Sequence, residues 1–200
     1  RGGWYYLLTA EGGTFHNHQC SIVRSRELWG PYETMPGNPL LTMRDTWREA
    51  GISRSGHGDF IEAGGDLRHI AFLAARPYGP RDCANPGRET FLLPVEWKSD
   101  GWPVVNGGRG AAWECPFPGL PEQEPYVAPR TDDFDSPALA HHWNTCRNPD
   151  PSGMSLTERP GCLRIRGCPW PLSDIRHVNL VARRQENIDF PAQTTLEFDP

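Results

Sequence analysis

Two hundred residues with 37% hydrophobic and 10% aromatic content match one or two ordinary globular domains, with neither disorder nor membrane insertion indicated. Twenty-five acidic against 20 basic residues give a net charge of −5 and a sequence pI near 5.8; no basic block is present to hold a polyanion, so neither nucleic acid nor membrane is expected as a partner. Twenty-one glycines, 21 prolines and eight tryptophans favour short strands and tight turns over helices, and the expected fold class is all-β.

The chain opens at Arg1, almost inside a strand, so the start of a longer protein is expected upstream and localisation is left open. Trp4 to Thr14 is an apolar run that delivers one carboxylate, Glu11, just before Gly12 and Gly13. A run without polar alternation reads as a strand covered on both faces, with Glu11 at its rim. The two glycines permit a sharp turn and leave space for a ligand. The alternative is a strand followed by a Gly-Gly hairpin with an incidental glutamate.

Ser21 to Ser25 follows as a second strand, with short strands at Tyr32 to Met35 and Leu40 to Met43 between Pro/Gly turns. Residues 44 to 56 are polar and irregular, with a helical turn from Asp45 to Ala50 or a long loop as the choices. A second group runs from Gly56 to Glu62, turns at Gly64-Gly65, returns from Leu67 to Ala75, and continues through Arg88 to Trp97 and Trp102 to Val105. Two successive groups of about four strands suit blades of a β-propeller.

Gly107 to Arg130 carries five prolines and almost no alternation, the character of a linker or strap. The expected division is 1–112, a linker at 113–130, and a second domain at 131–200. In that domain Trp143 to Thr145, Leu163 to Arg166, Val178 to Arg183 and Thr194 to Phe198 alternate as strands of a β-sandwich. Six cysteines are too few for a disulfide scaffold and lack zinc-site spacing. Cys162 and Cys168 could bridge only if the chain doubles back, and free thiols are expected.

Tyr5 to Thr14, Gly30-Pro31-Tyr32-Glu33, Asn38 to Thr42, Gly56-His57-Gly58-Asp59, Gly87 to Phe91 and Asp100-Gly101-Trp102-Pro103 together resemble glycoside hydrolase family 43, in that family's order. The resemblance is to its β-xylosidase and α-L-arabinofuranosidase members. It implies the C-terminal part of a five-bladed β-propeller, followed from Asp132-Asp133-Phe134 by the start of a concanavalin A-like β-sandwich. The function implied is inverting hydrolysis that releases xylose or arabinose from plant-wall polysaccharide such as arabinoxylan, with xylan- or arabinan-derived oligosaccharides as partners.

By the same resemblance Glu11 is the general acid, Arg88 binds substrate, and His57 lies in the central cavity, where some members hold a cation, a structural Ca²⁺, through water. His18 matches a histidine that often follows the acid motif. Phe72 stands where several xylosidases have a substrate-facing histidine. No cofactor is required.

An inverting glycosidase needs a protonated carboxyl and an ionised one about 6.5 to 9.5 Å apart. A partly dry site beside a second negative charge would raise the pKa of Glu11. The family's base and pKa-modulating aspartates belong to earlier blades, and none of Asp45, Asp59, Asp66, Asp82 or Asp100 matches them. The fragment is therefore expected to be inactive alone. A non-catalytic carbohydrate-binding or structural fragment is the alternative. Trp4, Trp97, Trp102 and Trp113 are expected to pack between blades rather than stack on sugars. Asp132, Asp133 and Asp135 are expected to be a solvated domain entrance rather than a cation site.

Overall fold

A computed structural model describes residues 1–62, 68–116 and 119–198. The turn expected at Gly64-Gly65, and Asp66, lie outside the described residues. The chain divides into two compact units, Arg1–Pro121 with Ile188–Pro200, and Glu122–Asn187.

The first unit holds both expected strand groups. In the first group β1 (Tyr5–Glu11) pairs with β2 (Gln19–Ser25), which also pairs with β3 (Glu33–Thr34) and β4 (Leu41–Thr42). A four-residue helix, α1 (Trp47–Ala50), closed by Gly51 in the left-handed conformation, then leads to the second sheet. There β5 (Ser53–Glu62), β6 (Arg68–Ala75), β7 (Glu89–Trp97) and β8 (Pro103–Val105) form an antiparallel meander in chain order. Both sheets follow from period-two alternation: Cys20 and Ile22, and Ile70, Phe72 and Ala74, are buried at two-residue intervals. Leu41, Met43, Ile52, Leu93 and Val95 complete most of the core shared by the two sheets.

One expectation about β1 is corrected. Tyr6 and Leu8 turn inward, whereas Tyr5 and Leu7 are each 48% exposed. β1 is the edge strand of its sheet, and only its inward face is covered within this chain.

The inward side is tied to the second sheet through its last hairpin. Tyr6 packs edge-on against Trp97 and Trp102, with ring centroids 4.9 and 6.2 Å away. Its hydroxyl donates to the Gly101 carbonyl. Arg24 lies over both Trp4 and Trp102 and donates to the Asp100 carbonyl. Trp97 and Trp102 are thus packing residues, as expected, while Trp113 is largely exposed and donates its indole N–H to the Ala50 carbonyl.

The second unit is built from two small antiparallel ladders: β9 (Trp143–Thr145) with β12 (Val181–Arg183), and β10 (Met154–Ser155) with β11 (Arg164–Ile165). Side-chain bonds connect its loops. Asp132 accepts from the Trp143 indole at 2.7 Å and from the Phe134 amide at 2.9 Å, so this carboxylate serves the unit's own structure. Asn179 donates to the Arg166 carbonyl, and its amide lies so close to Gly153 that a Cβ there would come within 2.2 Å of it. The strand expected at Thr194 to Phe198 does not form. A strand exists only with a partner to hydrogen-bond, and alternation alone supplies none.

All six cysteines are free, with Cys20 buried. Among the described residues no helix is long and apolar enough to cross a membrane.

Two outcomes are expected. Phe72→Ala empties a site that is 2% exposed and costs about 3–5 kcal/mol, while Leu28→Ala, at 53% exposure, costs under about 0.5 kcal/mol; urea unfolding of the two variants compares them. The Trp143 indole, then the Phe134 amide, hold the Asp132 carboxyl below its usual range. A depressed folded-state pKa stabilises fully above the unfolded value, and that stabilisation is lost as pH falls through the folded one. The Trp143 indole N–H resonance should therefore hold steady down to about pH 4 and move only below it.

Candidate functional site

Glu11 is the last residue of β1 and is solvent-exposed. Its setting follows from the β1–β2 register, in which Thr9 faces Ser21 and Glu11 faces Gln19. Residues two apart on a strand share a face, so these four side chains form one polar cluster at the strand end. Thr9 Oγ1 donates to Glu11 Oε1 at 2.9 Å, and Ser21 Oγ to Oε2 at 3.1 Å. Gln19 Nε2 makes a longer bond to Oε2, at 3.4 Å.

These bonds stabilise the ionised form and hold the Glu11 carboxyl below its ordinary pKa, Thr9 contributing most, then Ser21 and Gln19. The rise expected from the sequence belongs to the complete site with its second carboxylate. The expectation required a dry site and a neighbouring carboxylate, whereas here the carboxylate is exposed and its bonding partners are neutral donors.

The backbone after Glu11 requires glycine. A Cβ on Gly12, at φ +74°, would lie 1.9 Å from the Asn17 carbonyl oxygen, so the loop back to β2 closes against this residue. Gly13 also has positive φ but faces open space.

His18, the residue before β2, is 3% exposed and packs on β5. A Cβ at Gly56 would lie 2.4 Å from its Cδ2 and 2.5 Å from its Nε2. Among the described residues neither of its ring nitrogens has a hydrogen-bond partner. Two positions on, the buried Cys20 Sγ accepts from the Gly58 amide at 3.2 Å, and burial pushes this thiol's pKa up.

Between these two contacts lies His57, exposed, with φ 53°, in a stretch of β5 where the ladder to β6 slips twice. A bulge that drives a non-glycine residue into the left-handed region turns its side chain out of the sheet's alternation. The structure thus gathers Glu11, His18 and His57 around the start of β2.

Arg88 is placed elsewhere. It is exposed and immediately precedes β7, the second strand over from β5. The next residue, Glu89, forms a bidentate pair with Arg76 at 2.7 and 2.8 Å. Phe72 points into the core, packed against Phe91 with ring centroids 5.7 Å apart.

His16 stacks on Trp47 at 4.0 Å and bonds Ser53 Oγ at 2.7 Å. Desolvation, more than the nearby Arg54 charge, lowers its pKa. No group of three or more His, Cys, Asp or Glu side chains among the described residues could hold a metal ion.

Comparison with known proteins places this arrangement in a class. Residues 1–103 match Glycosyl hydrolases family 43, and residues 131–200 match the Beta xylosidase C-terminal Concanavalin A-like domain. The chain belongs to glycosyl hydrolase family 43, and its strands form a portion of that family's propeller followed by the concanavalin A-like domain.

It is 37% identical over its whole length to the non-reducing end alpha-L-arabinofuranosidase BoGH43B of Bacteroides ovatus, covering 37% of that protein. It is 36% identical, again over its whole length, to a beta-xylosidase of Bacillus subtilis, covering 39% of it. The crystal structure of a xylan beta-1,4-xylosidase from Bacillus halodurans C-125 superposes with a TM-score of 0.87 at 42% identity, over 94% of this chain and 36% of that one. The chain thus spans less than two fifths of the curated relatives it matches.

Sequence reasoning missed the partners of Glu11. Thr9 could have been found from its two-residue spacing on the same strand; Ser21 and Gln19 needed the register.

Gly12→Ala is expected to unfold the loop at 12–18 and lower the melting temperature, because both φ and the Asn17 carbonyl oppose a side chain. Gly13→Ala meets only the backbone strain. Thermal melts of the pair test whether that loop is closed as described.

Proposed function

We propose that the chain is the acid-bearing part of a glycosidase that releases xylose or arabinose from plant-wall polysaccharide such as arabinoxylan. Hydrolysis proceeds by single displacement with inversion. The observation that carries this reading is the placement of Glu11: a carboxyl at the open end of a strand, in the segment that matches the family, with both oxygens oriented by fixed donors. The names of the arabinofuranosidase and beta-xylosidase relatives support the choice of sugars.

In this reading Glu11 protonates the departing glycosidic oxygen, and a second carboxylate activates the attacking water. Arg88 supplies a planar set of donors for sugar hydroxyls. His57 contacts substrate from its exposed bulge, and His18 supports the site from beneath. Residues 1–112 carry the catalytic fold, 113–130 link, and 131–200 form the sandwich. Hydrolysis needs no cofactor.

This chain by itself hydrolyses glycosides far more slowly than the complete enzyme. Loss of general-base assistance alone removes roughly 10²- to 10⁴-fold in rate.

The depressed pKa of Glu11 favours a second reading, in which this carboxylate binds sugar hydroxyls without transferring a proton. One comparison separates the two. In the complete enzyme, Glu11→Gln should slow alkyl and oligosaccharide substrates far more than aryl glycosides, whose phenolate leaves with little protonation. Equal losses on both would assign Glu11 to binding.

A further inference from the structure

The hydroxyls of Thr9 and Ser21 do more than end a strand. They face each other across the β1–β2 ladder, and each donates to a different oxygen of the same carboxylate. Ser21 is only 7% exposed, so its hydroxyl is held in place and is not easily exchanged for water. The bond from Gln19 is longer, at 3.4 Å, and its own side-chain oxygen has no hydrogen-bond partner among the described residues.

We propose that Ser21, together with Thr9, is the positioning residue of the Glu11 acid: the two hydroxyls fix the carboxyl at the strand end and donate to the charge it acquires on giving up its proton. This rests on the acid role proposed for Glu11.

In that step the proton passes from the Glu11 carboxyl to the glycosidic oxygen. The bond from the anomeric carbon to that oxygen breaks, with its electron pair remaining on the oxygen. Water adds to the anomeric carbon and loses its proton to the second carboxylate. In the protonated form that enters this step, negative charge develops on Glu11 as the proton leaves. Fixed donors aimed at developing charge stabilise the transition state more than the ground state. The same donors favour ionisation in the resting protein, which accounts for the direction of the Glu11 shift.

The titratable and charged side chains on β5, which packs against β1 and β2, are Arg54, His57, Asp59 and Glu62. Arg54 lies over Phe15 and Glu62 bonds Arg1. His16 and His18 come from the loop between β1 and β2. The bonds that shift Glu11 come from Thr9, Ser21 and Gln19.

The test is a ¹³C carboxyl titration of the glutamate-labelled 200-residue chain, with Glu11 assigned from Glu11→Gln. Ser21→Ala should raise the Glu11 midpoint by about one pH unit, the low end of what one hydrogen bond to a charged group is worth, and Ser21→Thr should leave it in place. If Ser21→Ala does not fold, Thr9→Val is read instead, with Thr9→Ser as its conservative partner.

An unchanged midpoint in the hydroxyl-free variant, or an equal rise in the conservative one, overturns the proposal. The titration reads the hold of the hydroxyls on Glu11 directly, so it is independent of the leaving-group comparison that tests the acid role. In the complete enzyme Ser21→Ala should also lower kcat more than it raises KM and move the basic limb of the pH profile upward; the same kcat at a shifted limb would contradict the transition-state part.

Discussion

The antiparallel register of β1 on β2 puts Glu11 opposite Gln19 and Thr9 opposite Ser21, and the chemistry of the strand end depends on it. Side chains alternate along a strand, so a slip of one residue would turn Glu11 away from Ser21 and Gln19, its two cross-strand donors, and send Tyr6 and Leu8 to the exposed face. The register is specified by what lies on the inward side. Tyr6 wedges against Trp97 and Trp102, and Cys20 and Ile22 are completely buried. Hydrophobic packing below the sheet thereby sets hydrogen-bond geometry at its end.

β5 supplies the second constraint. A regular strand would present side chains at 56 and 58 to its neighbours, and both positions are glycine because the space is taken. Gly56 receives the His18 ring, and a Cβ at Gly58 would lie 2.8 Å from Ile70. The ladder slips around these glycines, and the slip leaves His57 exposed beside the start of β2. An exposed histidine at positive φ and a buried histidine whose ring has no hydrogen-bond partner among the described residues are thus positioned by the backbone of β5, whereas the rim carboxylate is held by side-chain donors.

The sequence was legible where strand-forming runs met turn signals. The strands of the first unit lie within a few residues of expectation, because Ser21 to Ser25 has β-branched residues at its centre and the runs from Leu67 to Ala75 and from Arg88 to Trp97 lie between Gly and Pro turn signals. Two-sided burial of Tyr5 to Leu8 was misread, since an uninterrupted apolar run does not reveal whether both faces of the strand have a covering layer. In the second unit Trp143 to Thr145 was legible; Thr194 to Phe198, which groups with the first unit, has the pattern of a strand without a partner. Glu11 could be picked out from the two glycines that follow it. Most of its environment could not, because Ser21 and Gln19 join Thr9 at this carboxylate only through the cross-strand register, and together the three lower its pKa.

The central claim is that substrate meets this chain at the end of β1. It is tested most directly by a crystal structure of the Glu11→Gln protein with a xylose- or arabinose-terminated oligosaccharide. The account predicts the linking oxygen within about 2.6 to 3.2 Å of the side chain at position 11, with Thr9 and Ser21 still bonded to that side chain. An oligosaccharide bound with its linkage away from position 11 would contradict it.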